Sequence, residues 1–155
     1  YNLKIETESG KYNIPTMPSE EFPVYELEEV KSQINITSKN LKTIISNTSF
    51  VIEVQGVKDF LNGLYLSIEV KTITAVAATS HTLAKDSVTL NEAVSENIDG
   101  IVPKKAIIEI GKLVGEESEN VVIKLGRTSI SINISGTTFV RQLSETLFFF
   151  TSSIL

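Results

Sequence analysis

The chain has 155 residues, an apolar share of 41% and a formal net charge of −5, a size and balance that support one ordinary domain plus a smaller piece and exclude wholesale disorder. The acidic balance excludes a surface that is basic throughout but leaves room for a local basic face. The absence of cysteine and the single histidine exclude a disulfide framework and a thiolate metal site, and no apolar run approaches the ~18 residues of a membrane span.

Asn2–Thr7 and Lys11–Ile14 flank Glu8-Ser9-Gly10, and Leu3, Ile5 and Thr7 alternate with polar residues, which predicts a β-hairpin. Pro15–Pro23 holds three prolines without periodicity and reads as an extended linker, the best place for a domain boundary. An acidic run, Glu26–Glu29, follows it. A short strand is expected at Gln33–Ile36, then a helix over about Lys39–Thr48, capped by Thr37 or Ser38, with Leu41, Ile44, Ile45 and Thr48 on one face. Gln55–Ala84 reads as a loop and a two-stranded hairpin, its first strand beginning at Leu61-Asn62-Gly63 and its second ending at His81. Ser87–Leu90 closes the strand region, and Asn91–Gly100 reads as a polar, acidic loop. Ile101-Val102 leads into a second helix with Pro103 at its first position, a stripe of Ala106, Ile107, Ile110, Leu113 and Val114, and a stop at Gly115. Three strands are expected last: Asn120–Leu125, Ser129–Ile134 and Thr137–Leu143, with turns at Gly126-Arg127 and Ser135-Gly136. The whole reads as an α+β domain in which strand, helix and strands occur twice, followed by an apolar tail over residues 144–155.

No constellation for bond chemistry emerges. His81 is the only histidine, no serine sits in a G-x-S-x-G elbow, and no glycine-rich loop cradles phosphate. The carboxylates of Glu26–Glu29 and Glu116–Glu119 read as solvated loops. No catalytic residue, metal ligand or cofactor site is therefore assigned. Lys39, Lys42, Lys104, Lys105 and Lys112 lie off the apolar stripes of the two helices. They read either as a solvated helix face or as a phosphate-facing surface, whose binding would be sequence-independent and salt-sensitive.

Six segments carry a resemblance, in order along the chain: KYNIPTMPSEEFP at Lys11–Pro23, LKTIISNTSF at Leu41–Phe50, QGVKDFLNG at Gln55–Gly63, VAATSHTLA at Val76–Ala84, IVPKKAIIEIGKLV at Ile101–Val114 and TTFVRQL at Thr137–Leu143. Together they resemble the middle domain of the bacterial DNA polymerase III beta subunit, the sliding clamp, preceded by the end of the first domain. The fourth segment is similar to the family phrase V-A-T-D-G-H-R-L-A, and the fifth to a V-P-[RK]-K helix start.

The resemblance implies a DNA-clamp domain of two βαβββ units, with helices lining a channel and sheets outside. It divides the chain into the last hairpin and linker of the first domain (1–25), the middle domain (26–143) and a divergent tail (144–155). The implied job is that of a processivity factor without bond chemistry: a cytoplasmic ring of two subunits around duplex DNA, served by the polymerase and the clamp loader, with no membrane partner. Lys39, Lys42, Lys58, Phe60, Lys104, Lys105 and Lys112 are the expected DNA-facing residues. Leu61, Ser80, His81, Thr82 and Leu83 are expected in the middle-domain wall of a partner-peptide groove. Beginning at Tyr1 and departing from the family phrase after Leu143, the chain is expected to be a piece of the longer clamp, unable to encircle DNA alone. The alternative is a stand-alone module that binds peptides through the remaining half of the groove. Where the family phrase has Asp, Gly and Arg, this chain has Thr79, Ser80 and Thr82; if the glycine position needs a positive φ, Ser80 is strained there.

Overall fold

Alternation of apolar and polar residues builds most of the strands, and two helices cover the sheets they form. The computed structural model describes residues 1–22, 29–53, 61–115 and 119–144. In chain order the elements are β1 (Asn2–Thr7), β2 (Gly10–Pro15), β3 (Ser32–Thr37), α1 (Ser38–Ser49), β4 (Gly63–Glu69), β5 (Thr72–Ala78), β6 (Leu83–Thr89), β7 (Ile98–Pro103), α2 (Lys104–Leu113), β8 (Asn120–Leu125), β9 (Ser129–Ile134) and β10 (Thr137–Gln142). From β3 onward this is β-α-β-β-β twice over.

The two units exchange their first strands. One four-stranded sheet runs β10-β9-β8-β3 and the other β6-β5-β4-β7, all neighbours antiparallel. So β3 of the first unit pairs with β8 of the second, Ser32 opposite Leu125 and Thr37 opposite Asn120. In the same way β7 of the second unit pairs with β4 of the first, Ile98 opposite Ile68 and Pro103 opposite Gly63. The helices start alike as well: the Ser38 amide donates to the Glu119 carbonyl at 2.9 Å, and the Lys104 amide to the Asn62 carbonyl at 3.0 Å. These are corresponding positions on either side of a pseudo-two-fold relation.

One hydrophobic cluster joins both sheets and both helices. Ile34 and Ile36 of β3, Leu41, Ile44 and Ile45 of α1, Leu64, Leu66 and Ile68 of β4, Ala106, Ile107 and Ile110 of α2, and alternate residues of β5, β8 and β9 all belong to it. Leu64, Ile68, Ile73, Ile101 and Ile130 have no exposed surface. Burying such a side chain contributes roughly 1.5–3 kcal/mol, so this cluster is the main source of stability. On the opposite face of the second sheet, Val76, Tyr65 and Ile101 form a separate buried row across β5, β4 and β7. Burial, reinforced by the Asp99 carboxylate, holds the Tyr65 phenol above the ordinary tyrosine range.

The structure corrects several expectations. The second strand of the central hairpin ends at Ala78 rather than at His81, and a third strand, β6, follows it. Part of the expected polar loop Asn91–Gly100, together with Ile101-Val102, is strand β7, because pairing with β4 overrides its polar start. Pro103 is the residue before α2, not its first residue, and Gly115 does not end the helix with a positive φ. Ser80 has no positive φ, so the expected strain is absent. The proline-rich segment includes a single 3-10 turn at Ser19–Glu21. The β1-β2 hairpin forms a sheet of its own, with Leu3 opposite Ile14 and Ile5 opposite Tyr12, all four exposed. The expected apolar tail lies outside the described residues except for Ser144, whose amide donates to the Ile101 carbonyl at 2.9 Å and thereby ties the end of the first sheet to the second.

Candidate functional site

Each helix buries one stripe and leaves the other open. In α1 the buried residues are Ser38, Leu41, Ile44, Ile45 and Thr48, which leaves Lys39, Lys42, Thr43, Ser46 and Asn47 exposed. In α2 Ala106, Ile107 and Ile110 are buried, and Lys105, Ile108, Glu109 and Lys112 are exposed. Together the helices carry five of the chain's 14 basic residues and one of its 19 acidic residues. A protein of net charge −5 has thus gathered positive charge on one pair of adjacent elements. Neither helix has an acidic residue in its first turn, and α2 begins with two lysines. The helix dipole disfavours cations there, so local helix stability does not account for the placement.

The five lysines are not alike. Counting from the residues that precede the helices, Thr37 and Pro103, Lys39 corresponds to Lys105, and both are exposed. Lys42 is exposed on the next turn of α1 and also lines the cleft between the helices. Lys112 pairs with Glu109 at 3.1 Å on the exposed side of α2, an arrangement worth little in water and easily exchanged for another anion. Lys104 turns inward, its Nζ donating to the Ile52 carbonyl at 2.8 Å. The cleft has a volume of about 290 Å³, and its apolar lining includes the buried Ile45, Ile52 and Ile107 and the exposed Ile108. Lys58 and Phe60 lie outside the described residues.

The expected groove residues gather at one end of the second sheet, where β4 begins at Gly63, β5 ends at Ala78, β6 begins at Leu83 and β7 ends at Pro103. Leu61 leads into this end and is buried, whereas Ser80, His81, Thr82 and Leu83 are exposed. Thr79, not foreseen as a site residue, organises the loop between β5 and β6. Its hydroxyl accepts from the His81 amide at 3.2 Å and from the Thr82 amide at 3.0 Å, and its own amide donates to the Thr82 carbonyl at 2.8 Å. The readable signal was a threonine placed just before a short polar turn, where its side chain can mimic a backbone acceptor. No signal in the sequence marks the Ile52 carbonyl as the partner of Lys104, because that contact joins residues 52 positions apart.

Comparison with known proteins places this geometry. The family described as DNA polymerase III beta subunit, central domain, matches residues 35–148. The chain is 29% identical over 143 residues to the beta sliding clamp of Pseudomonas aeruginosa and 26% identical over 144 residues to that of Vibrio cholerae, covering 92% of this chain and 39% of each relative. A crystal structure of the DNA polymerase sliding clamp from P. aeruginosa superposes with a TM-score of 0.87 at 28% identity, over 95% of this chain and 40% of that one. A putative DNA polymerase III beta subunit from Eubacterium rectale shares the fold, with a TM-score of 0.86 at 24% identity over 96% of this chain and 40% of that one. The chain therefore spans about two-fifths of the length of the relatives it matches. The exchanged βαβββ pair, the ordered sequence segments and these matches lead to one conclusion: the chain belongs to the DNA polymerase III beta subunit family, the bacterial sliding clamps, and its residues 35–148 match that family's central domain.

Proposed function

We propose that this chain supplies one domain of a ring that encircles duplex DNA and holds a replicative polymerase on it, with α1 and α2 turned toward the duplex. The observation that carries this reading is the concentration of lysine, and near absence of carboxylate, on the two helices of an acidic protein. Lys39, Lys42, Lys105 and Lys112 would face phosphates, with Lys58 as a further cation and Phe60 beside it on the DNA side. Lysines on helices touch the backbone without reading base edges, so the contact is blind to sequence and can slide. No bond is made or broken in this role. Residues 26–143 form the domain, and the β1-β2 hairpin with its linker, residues 1–25, belongs to a neighbouring one. Leu61 and Ser80–Leu83 form one wall of a groove for peptides of the polymerase and clamp loader, in a cytoplasmic homodimeric ring.

The test is binding of a fluorescent duplex at a series of salt concentrations. The logarithm of the affinity should fall linearly with the logarithm of salt, with a slope of about −0.9 for each phosphate neutralised, and two unrelated duplex sequences should give the same line. Binding that ignores salt, or that prefers one sequence, would overturn the reading.

A further inference from the structure

We infer that Lys104 is a positioning residue of the helix pair rather than a phosphate contact; this rests on the DNA-facing reading above. The first residues of α1 and α2 correspond, yet they do different things. Ser38 is buried, and its hydroxyl donates to the Glu119 carbonyl at 3.0 Å, the same carbonyl that its amide uses. Lys104 makes the matching amide bond to Asn62 but sends its side chain across to the segment that leaves α1, where Nζ donates to the Ile52 carbonyl at 2.8 Å. Ile52 follows the carboxyl end of α1, where Val51 and Ile52 tighten the chain by donating to the Thr48 and Ser49 carbonyls at 3.2 Å.

The contact therefore joins the amino end of α2 to the carboxyl end of α1. It satisfies the carbonyl of Ile52, a residue whose side chain is buried just past the end of α1. Lys104 also lines the interhelical cleft, as do Ile107 and Ile108. Its ammonium is committed to the protein, whereas Lys105, one residue on, is exposed. By fixing one helix end against the other, Lys104 sets where Lys39 and Lys42 stand relative to Lys105. Of the two adjacent lysines, one holds the surface and the other belongs to it.

Lys104→Met keeps the apolar stem and removes the charge; Lys104→Arg restores a donor; Lys105→Met is the contact control. With Lys104→Met, Tm should fall by about 3–6 °C. Well below its own midpoint, its affinity for a 20-base-pair duplex should fall several-fold while the slope of log affinity against log salt stays at the wild-type value. Lys104→Arg should recover both Tm and affinity. Lys105→Met should leave Tm unchanged and make the slope shallower by about 0.9. An unchanged Tm for Lys104→Met, or a slope shallower by about 0.9 for that variant, would overturn the inference. Wild-type protein without salt-dependent duplex binding would overturn the DNA-facing reading and the positioning role with it, while the Tm of Lys104→Met would still decide whether the contact pins the helices.

Discussion

Val70 holds a backbone conformation that valine rarely adopts. It sits in the β4-β5 turn at φ +50°, where a β-branched side chain crowds its own backbone. The segment between β6 and β7 keeps it there. The Val70 amide donates to Asn97 Oδ1 at 3.1 Å, its carbonyl accepts from the Val94 amide at 2.7 Å, and the Lys71 carbonyl accepts from the Leu90 amide at 2.7 Å. The Val70 side chain is 64% exposed, so little packing opposes its removal. Val70→Gly is expected to raise the unfolding free energy by about 0.5–1 kcal/mol, the relief of strain exceeding the entropy that glycine adds to the unfolded chain. Asn97→Ala should lower it by about 1 kcal/mol through the lost hydrogen bond. Urea unfolding of both variants checks the pair, and a less stable Val70→Gly would show that the valine contributes more by contact than it costs in strain. The turn between β9 and β10 meets the same demand differently: Ser135 and Gly136 take φ +48° and +85°, the two-residue pattern that favours glycine, and the Ser135 hydroxyl donates to Glu119 at 2.6 Å.

Elements were legible where burial imposed a period and illegible where pairing decided. Leu41, Ile44, Ile45 and Thr48 mark α1 in the sequence, and the alternation of Val121, Ile123 and Leu125 marks β8. By contrast β6 is an edge strand whose Leu83, Lys85, Ser87 and Thr89 are exposed, so no strong apolar run announces it. β7 opens with Ile98-Asp99-Gly100 and runs straight into α2 without a loop, so Ile101-Val102 looked like the start of the helix. The candidate site divides in the same way. That lysines lie off the apolar stripes follows from helical spacing; that Lys104 reaches the segment that leaves α1 follows only from the fold. The β5-β6 loop offers a test at this scale. Thr79→Val keeps the shape of the side chain and removes the acceptor used by the His81 and Thr82 amides. Stability should fall by about 1 kcal/mol, and amide exchange at Ser80–Leu83 should quicken while exchange in β4 and β8 keeps its wild-type pattern. Faster exchange throughout the domain would mean that the loop is not an independent unit.

At the scale of the whole molecule, the exchanged strands make the two units interdependent. β3 and β7 each find their antiparallel partner only in the other unit, and a single apolar cluster spans the pair. Severing the chain between Ala93 and Val94 should therefore give two pieces that each lack a cooperative thermal transition by circular dichroism, and mixing them should restore one. A sigmoidal native-like melt from either piece alone would refute the interdependence. The same exchange sets an order of events during synthesis. Strand β7 is the last member of its sheet to leave the ribosome, so the β6-β5-β4-β7 sheet can close once Pro103 has emerged. β3, made earlier than any of those strands, must wait for Asn120–Leu125 before its edge is paired. A nascent chain halted between these points carries Ile34 and Ile36 on a strand without its partner, and that interval is when the protein most needs protection from association with other chains.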